Sequence, residues 1–116
     1  MSAGQYNFII EQGSTFQRTL IYKDENGDPV DLTPYDARMM IKAAKADTEA
    51  ILSLSNETEG GLTLGGAAGT IAILISAEDT EDLDFDSAYY DLEIETDEVV
   101  TRLLEGTVTL SKEVTN

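Results

Sequence analysis

Apolar and polar residues alternate one by one along most of this chain, the period of a strand with one face in a core and one in water. Tyr90, Leu92 and Ile94 alternate with Asp91, Glu93 and Glu95. Leu104, Gly106, Val108 and Leu110 alternate with Glu105, Thr107 and Thr109, and Ala37, Met39 and Ile41 alternate with Arg38, Met40 and Lys42. Leu52 and Leu54 give the core face of a shorter strand. Residues 70–75 are a β-branched apolar run behind Gly69, and residues 6–10 read as a first strand. In residues 15–23, Phe16, Leu20 and Tyr22 share a face on which Arg18 also falls by parity. That predicts either a bulge or an arginine that reaches past its neighbours to water.

Turn chemistry separates these runs. Asn26-Gly27, inside the polar segment 24–28, is a strong hairpin signal. Gly60-Gly61 and Gly65-Gly66 bracket the short run 62–64, and residues 96–98 turn the last hairpin. Ser76 with Asp79 has the S-x-x-[DE] form of a helix start, and predicts one or two helical turns through Leu83. Residues 43–48 suit either a second helical turn or a loop. About seven or eight short strands at spacings of roughly ten residues, with one short helix, predict an all-β fold. The expected architecture is an Ig-like or related antiparallel β-sandwich, one domain over residues 1–116, without repeat or linker.

Composition narrows the chemistry. Cysteine, histidine and tryptophan are all absent. Thiolate nucleophiles, disulfides, cysteine-held metals and the usual general base are therefore excluded. The formal net charge is −16, which opposes binding to a nucleic-acid backbone or an anionic membrane. No Lys or Arg occurs between Lys45 and Arg102, so the later half carries most of the negative field. The start, MSAGQYNF, has no basic segment and no long apolar run. The expectation is a soluble protein made in a cytoplasm.

Few candidate sites survive. Asp82, Asp84, Asp86 and Glu93 stand at positions 1, 3, 5 and 12 of a calcium-loop spacing. Ser87 replaces the glycine such a loop needs for its sharp turn, and the flanks read as β. The competing reading is a solvated acidic loop that runs into a strand. The oxygen-rich segment 24–28 reads as a hairpin turn before it reads as a cation site. A hydrolase needs two carboxylates placed across a substrate, and nothing singles out such a pair among the 23 acids. No phosphate loop, cofactor motif or catalytic set is present, and a non-enzymatic binding domain is expected. Tyr89, outward on its strand, is a contact candidate.

Five segments, taken in order, carry a resemblance: IIEQGSTF (9–16), DLTPYDARM (31–39), GLTLGGAAGTI (61–71), YDLE (90–93) and RLLEGTV (102–108). The set resembles small bacteriophage virion proteins, in particular the N-terminal, phage-anchored domain of baseplate upper proteins and tail-fibre adaptors. The resemblance implies a β-sandwich docking module in a phage particle, with other virion proteins of the tail, baseplate or capsid as partners and homo-oligomers in the particle. The larger fibre or receptor-binding region of that family has no counterpart here, so a head decoration or cement role stands beside the tail adaptor role. A calcium-stabilised carbohydrate- or receptor-binding module is the alternative of a different class. The resemblance implies no catalytic residue. It also implies that the turn at Pro34 links two sheets and that Arg102 pairs with an acid on the adjacent strand. Strand edges at residues 6–10 or 107–110 are the expected pairing surfaces.

Overall fold

The computed structural model describes residues 4–112. Its elements are β1 (Gly4–Gln5), β2 (Phe8–Glu11), β3 (Phe16–Ile21), β4 (Asp36–Lys42), β5 (Leu52–Ser55), β6 (Leu62–Leu64), β7 (Thr70–Ile75), α1 (Ala77–Glu81), β8 (Ser87–Thr96) and β9 (Val99–Ser111). They build a β-sandwich. The larger sheet runs β1-β9-β8-β4-β5, with β2 also on β9, and the smaller runs β3-β7-β6.

The period-two pattern settles which side chains meet. Ala37, Met39 and Ile41 of β4, Ala88, Tyr90, Leu92 and Ile94 of β8, and Val108 and Leu110 of β9 face inward. They meet Phe16, Leu62, Ile71, Ile73 and Ile75 of the smaller sheet in one core. Each buried Val, Leu, Ile, Met or Phe among them contributes roughly 1.5–3 kcal/mol by leaving water. Phe8 is the aromatic hinge of this core: its ring lies 4.9 Å from that of Tyr90 and 5.6 Å, edge-on, from that of Phe16.

The fold is the all-β sandwich the alternation predicts, with two differences. The described residues form nine strands, because β1 lies ahead of the predicted first strand (residues 6–10) and is divided from β2, which begins only at Phe8. The larger sheet is also mixed: β1 and β2 run parallel to β9, with Gly4 opposite Leu104 and Ile9 opposite Thr109. Gly106 makes the division possible. A side chain there would collide with the Tyr6 carbonyl. The chain crosses over this glycine at Tyr6 and Asn7. Asn7 Oδ1 then accepts the Thr107 N–H at 3.0 Å, and Tyr90 Oη donates to Tyr6 O at 2.6 Å. Glycine at one position of an alternating strand signals such a close approach, but not what approaches.

The remaining turn expectations hold. Asp24 Oδ1 accepts the N–H groups of Asn26 and Asp28, and Gly27 has φ 84°. Lys23 bridges Pro29 across that turn. The chain passes from β3 to β4, and so between the sheets, through a corner at residues 31–35. There Asp31 Oδ1 accepts the Thr33 N–H and Tyr35 N donates to Leu32 O. Ser76 Oγ accepts the Asp79 N–H at 3.1 Å and starts α1. Residues 43–48 form a turn closed between Ala44 and Asp47 rather than a helix. Among the described residues no helix is long and apolar enough to cross a membrane.

Candidate functional site

The acidic spacing does not close into a calcium loop. Asp82 caps the C-terminus of α1. Asp84 and Asp86 are exposed beside Lys112, whose Nζ lies 3.9 and 3.2 Å from their carboxylates. Glu93 is remote from them, on the outer face of the larger sheet, where it accepts from Arg38 Nε at 3.0 Å. The cause is backbone geometry. Extended chain begins at Ser87, and each extended residue advances about 3.3 Å, so six of them carry Glu93 about 20 Å away instead of curling back. Among the described residues no cluster of three or more acids is placed to hold a metal ion.

Two surfaces have features beyond ordinary solvation. The first is the outer face of the larger sheet, a ladder of alternating charge. Arg38 on β4 bridges Glu93 and Glu95 on β8 at 3.0 and 2.9 Å. Across β8, Arg102 on β9 lies 3.8 Å from Asp91, 3.9 Å from Glu93 and 3.3 Å from Glu105. A bulge sets this group. The register passes from Leu92↔Leu104 to Glu93↔Arg102, leaving Leu103 extra and turning Arg102 onto the acidic face. Arg102 thus meets the acids of its neighbouring strand, as expected. Exposed pairs of this kind contribute only about 0–1 kcal/mol each. Burial and the neighbouring Glu93 push the Asp91 carboxyl above its usual range, with Arg102 and Lys42 opposing. Beside Asp91 lies a depression of about 110 Å³ lined by Met40, Lys42, Lys45, Tyr89, Arg102 and Glu105. Lys45 Nζ sits 5.5 Å from the centre of the Tyr89 ring, within cation–π range.

The second surface is the open flank between β2 at the end of one sheet and β3 at the end of the other, where Ile9 and Glu11 line a depression with Phe16, Gln17 and Arg18. Both are end strands: β3 ends its sheet, and β2 has β9 as its pairing partner. Tyr22 N donates to Gly69 O. The alternation of an antiparallel ladder then turns the N–H and C=O of Gln17, Thr19 and Ile21 away from β7. An apolar groove of about 170 Å³ opens beside this edge, walled by Tyr6, Leu20, Ile21, Tyr22 and Leu103. Ile9 is 63% exposed, Ile21 54% and Tyr6 47%. Arg18 decides between the two expectations for this strand. The β3–β7 register is continuous, so there is no bulge. The side chain reaches out instead, its guanidinium 5.1 Å from the centre of the Phe16 ring.

Of the two edges expected to pair, residues 6–10 do lie at the sheet's end. Residues 107–110 do not: β9 is an interior strand there, bonded to β8 on one side and β2 on the other. Sequence could not show this, because the parallel partner of β9 lies at the opposite end of the chain. Tyr89 is partly exposed on the outer face, as its parity predicts.

No protein-family model matches this chain. No curated protein matches it either. Among solved structures, the chain is similar to the extracellular domain of the voltage-gated sodium channel beta4 subunit, described as forming parallel homodimers with a role in cell–cell adhesion. The similarity spans 98% of this chain and 97% of that one, at 13% identity and a TM-score of 0.48. A likeness at that level carries no argument about function.

Proposed function

We propose that this domain is a non-enzymatic docking module of a bacteriophage particle, seated at the tail or baseplate, and that its open flank receives an extended segment of another virion protein. The observation that carries the docking part is the coincidence, on one side of the sandwich, of an unpaired β3 edge with an apolar groove and the exposed Ile9 and Ile21. An incoming strand would gain ladder hydrogen bonds from the edge and seat alternate side chains in the groove. Arg18 restricts the choice, since an exposed charge on an edge strand discourages indiscriminate pairing. The phage assignment is supported by the ordered set of five segments that resembles virion adaptor domains. The outer ladder gives little reason to read an enzyme, because Asp91, Glu93 and Glu105 all lie within reach of Arg102.

The test is antibody-gold electron microscopy on particles from a lysate of the encoding strain, with the wild-type chain and with an Ile9→Asp/Ile21→Asp variant. Gold at the tail or its tip, lost in the variant while the purified variant keeps its fold, is the expected result. Gold over the head would instead make the chain a decoration protein. Bare particles, with an antibody that recognises the purified protein, would overturn the virion reading.

A further inference from the structure

We infer that copies of this chain associate head to tail, the tip of the β8–β9 hairpin of one copy entering the Lys42–Lys45–Tyr89 depression of the next. This uses a surface distinct from the flank and does not rest on the docking proposal.

The depression is a local surplus of positive charge in a chain of net charge −16. Its walls carry Lys42, Lys45 and Arg102 against Asp91 and Glu105. Arg102 is occupied by the two carboxylates. Lys42 and Lys45 have no carboxylate within ion-pair distance among the described residues. Met40 and Tyr89, partly exposed, supply apolar area between these charges.

The hairpin tip has the complementary chemistry. Asp97 and Glu98 form the turn, and neither belongs to an ion pair among the described residues. Directly after them Val99 and Val100 are 62% and 46% exposed. Both turn residues hold positive φ, 50° and 67°, a backbone that non-glycine residues seldom adopt. The turn thereby presents two carboxylates and two valines on one projecting end. An acidic, valine-bearing tip fits lysines set around Met40 and Tyr89, charge against charge and apolar against apolar.

One molecule cannot make this contact with itself. Tyr89 and Asp97 lie eight residues apart on β8 and its turn, about 25 Å of extended chain. The two surfaces are different patches, so the contact is heterologous. Repetition closes it into a ring or extends it as a filament. Two copies of net charge −16 repel at long range, but near 0.15 M salt the screening length is about 8 Å. Charges spread over a 45 Å molecule are then largely screened, while pairs in contact are not.

Sedimentation at near-physiological salt tests the inference. The wild-type chain is expected to rise with concentration to at least twice the monomer mass. Lys42→Glu/Lys45→Glu and Asp97→Lys/Glu98→Lys should each remain monomeric while keeping the wild-type circular dichroism spectrum. An equimolar mixture of the two should reassemble, because each reversed surface finds a reversed partner. A Glu25→Lys/Glu57→Lys control, with the net charge of the second variant but neither surface altered, should assemble like wild type. A wild-type chain that stays monomeric at all concentrations overturns the proposal. So does unchanged assembly in either variant, or a mixture of two folded variants that stays monomeric.

Discussion

At the residue scale, Asp91 shows how a sheet face can hold a charge at a disadvantage. It lies between β4 and β9, partly buried and beside Glu93 and Glu105, with Arg102 offsetting part of that repulsion. A carboxyl whose folded pKa is raised binds its proton more tightly in the folded than in the unfolded chain. Its contribution is therefore fully present below the unfolded pKa near 4 and lost as pH rises through the folded value. Asp91→Asn is then expected to melt slightly above wild type at neutral pH. The gain should vanish as pH falls through the carboxylate range, read from melting curves at several pH values. A variant equally shifted at all pH values would mean that packing, not charge, decides. Tyr90 follows the same sign at the alkaline end: burial raises its phenol, so ionisation above pH ~10 opposes folding.

At the element scale, α1 is short, and one side chain bolts it down. Thr80 is fully buried, accepts the Gly13 N–H at 3.0 Å and donates to Ser14 O at 2.8 Å. It joins the helix to the turn between β2 and β3, the turn that carries the chain from one sheet to the other. Thr80→Val keeps the shape but strands both backbone groups, at a cost of about 1–3 kcal/mol. Denaturant titration with an unchanged slope is the expected record. The residue was illegible in the sequence, where a threonine within AEDTE reads as the polar side of a helix. The start of that helix was legible, because Ser76 caps it locally. The same contrast separates the strands from their partners. Inward faces at Met39, Leu92 and Val108 follow from period two alone. The order of the strands does not, since alternation is silent on which edges meet. The parallel pairing of β2 with β9 was therefore missed, and with it the loss of residues 107–110 as a free edge. The spacing from Asp82 to Glu93 failed for the opposite reason. It assumed a curled loop where the alternation of Tyr90, Leu92 and Ile94 already required extended chain.

At the scale of the whole molecule, charge and shape divide the labour. The outer face of the larger sheet pairs most of its ions internally, the groove on the flank is mainly apolar, and much of the remaining negative charge lies on loops and turns. That distribution leaves few places where another protein meets little repulsion, and the flank and the lysine-lined depression are two of them.

The parallel seam between the first strands and the last also fixes how the domain bears load. Gly4 lies beside Leu104 and Glu11 beside Ser111, so the described chain enters at one end of the seam and leaves at the other. A pull applied through the two ends slides β2 along β9 and stresses their slanted hydrogen bonds together rather than peeling them apart one at a time. A domain tethered at both ends should therefore resist stretching as a shear clamp. In single-molecule pulling, force applied through residues 4 and 112 should give a far higher rupture peak than force applied across the β8–β9 turn. Equal peaks would show that the seam does not carry the load.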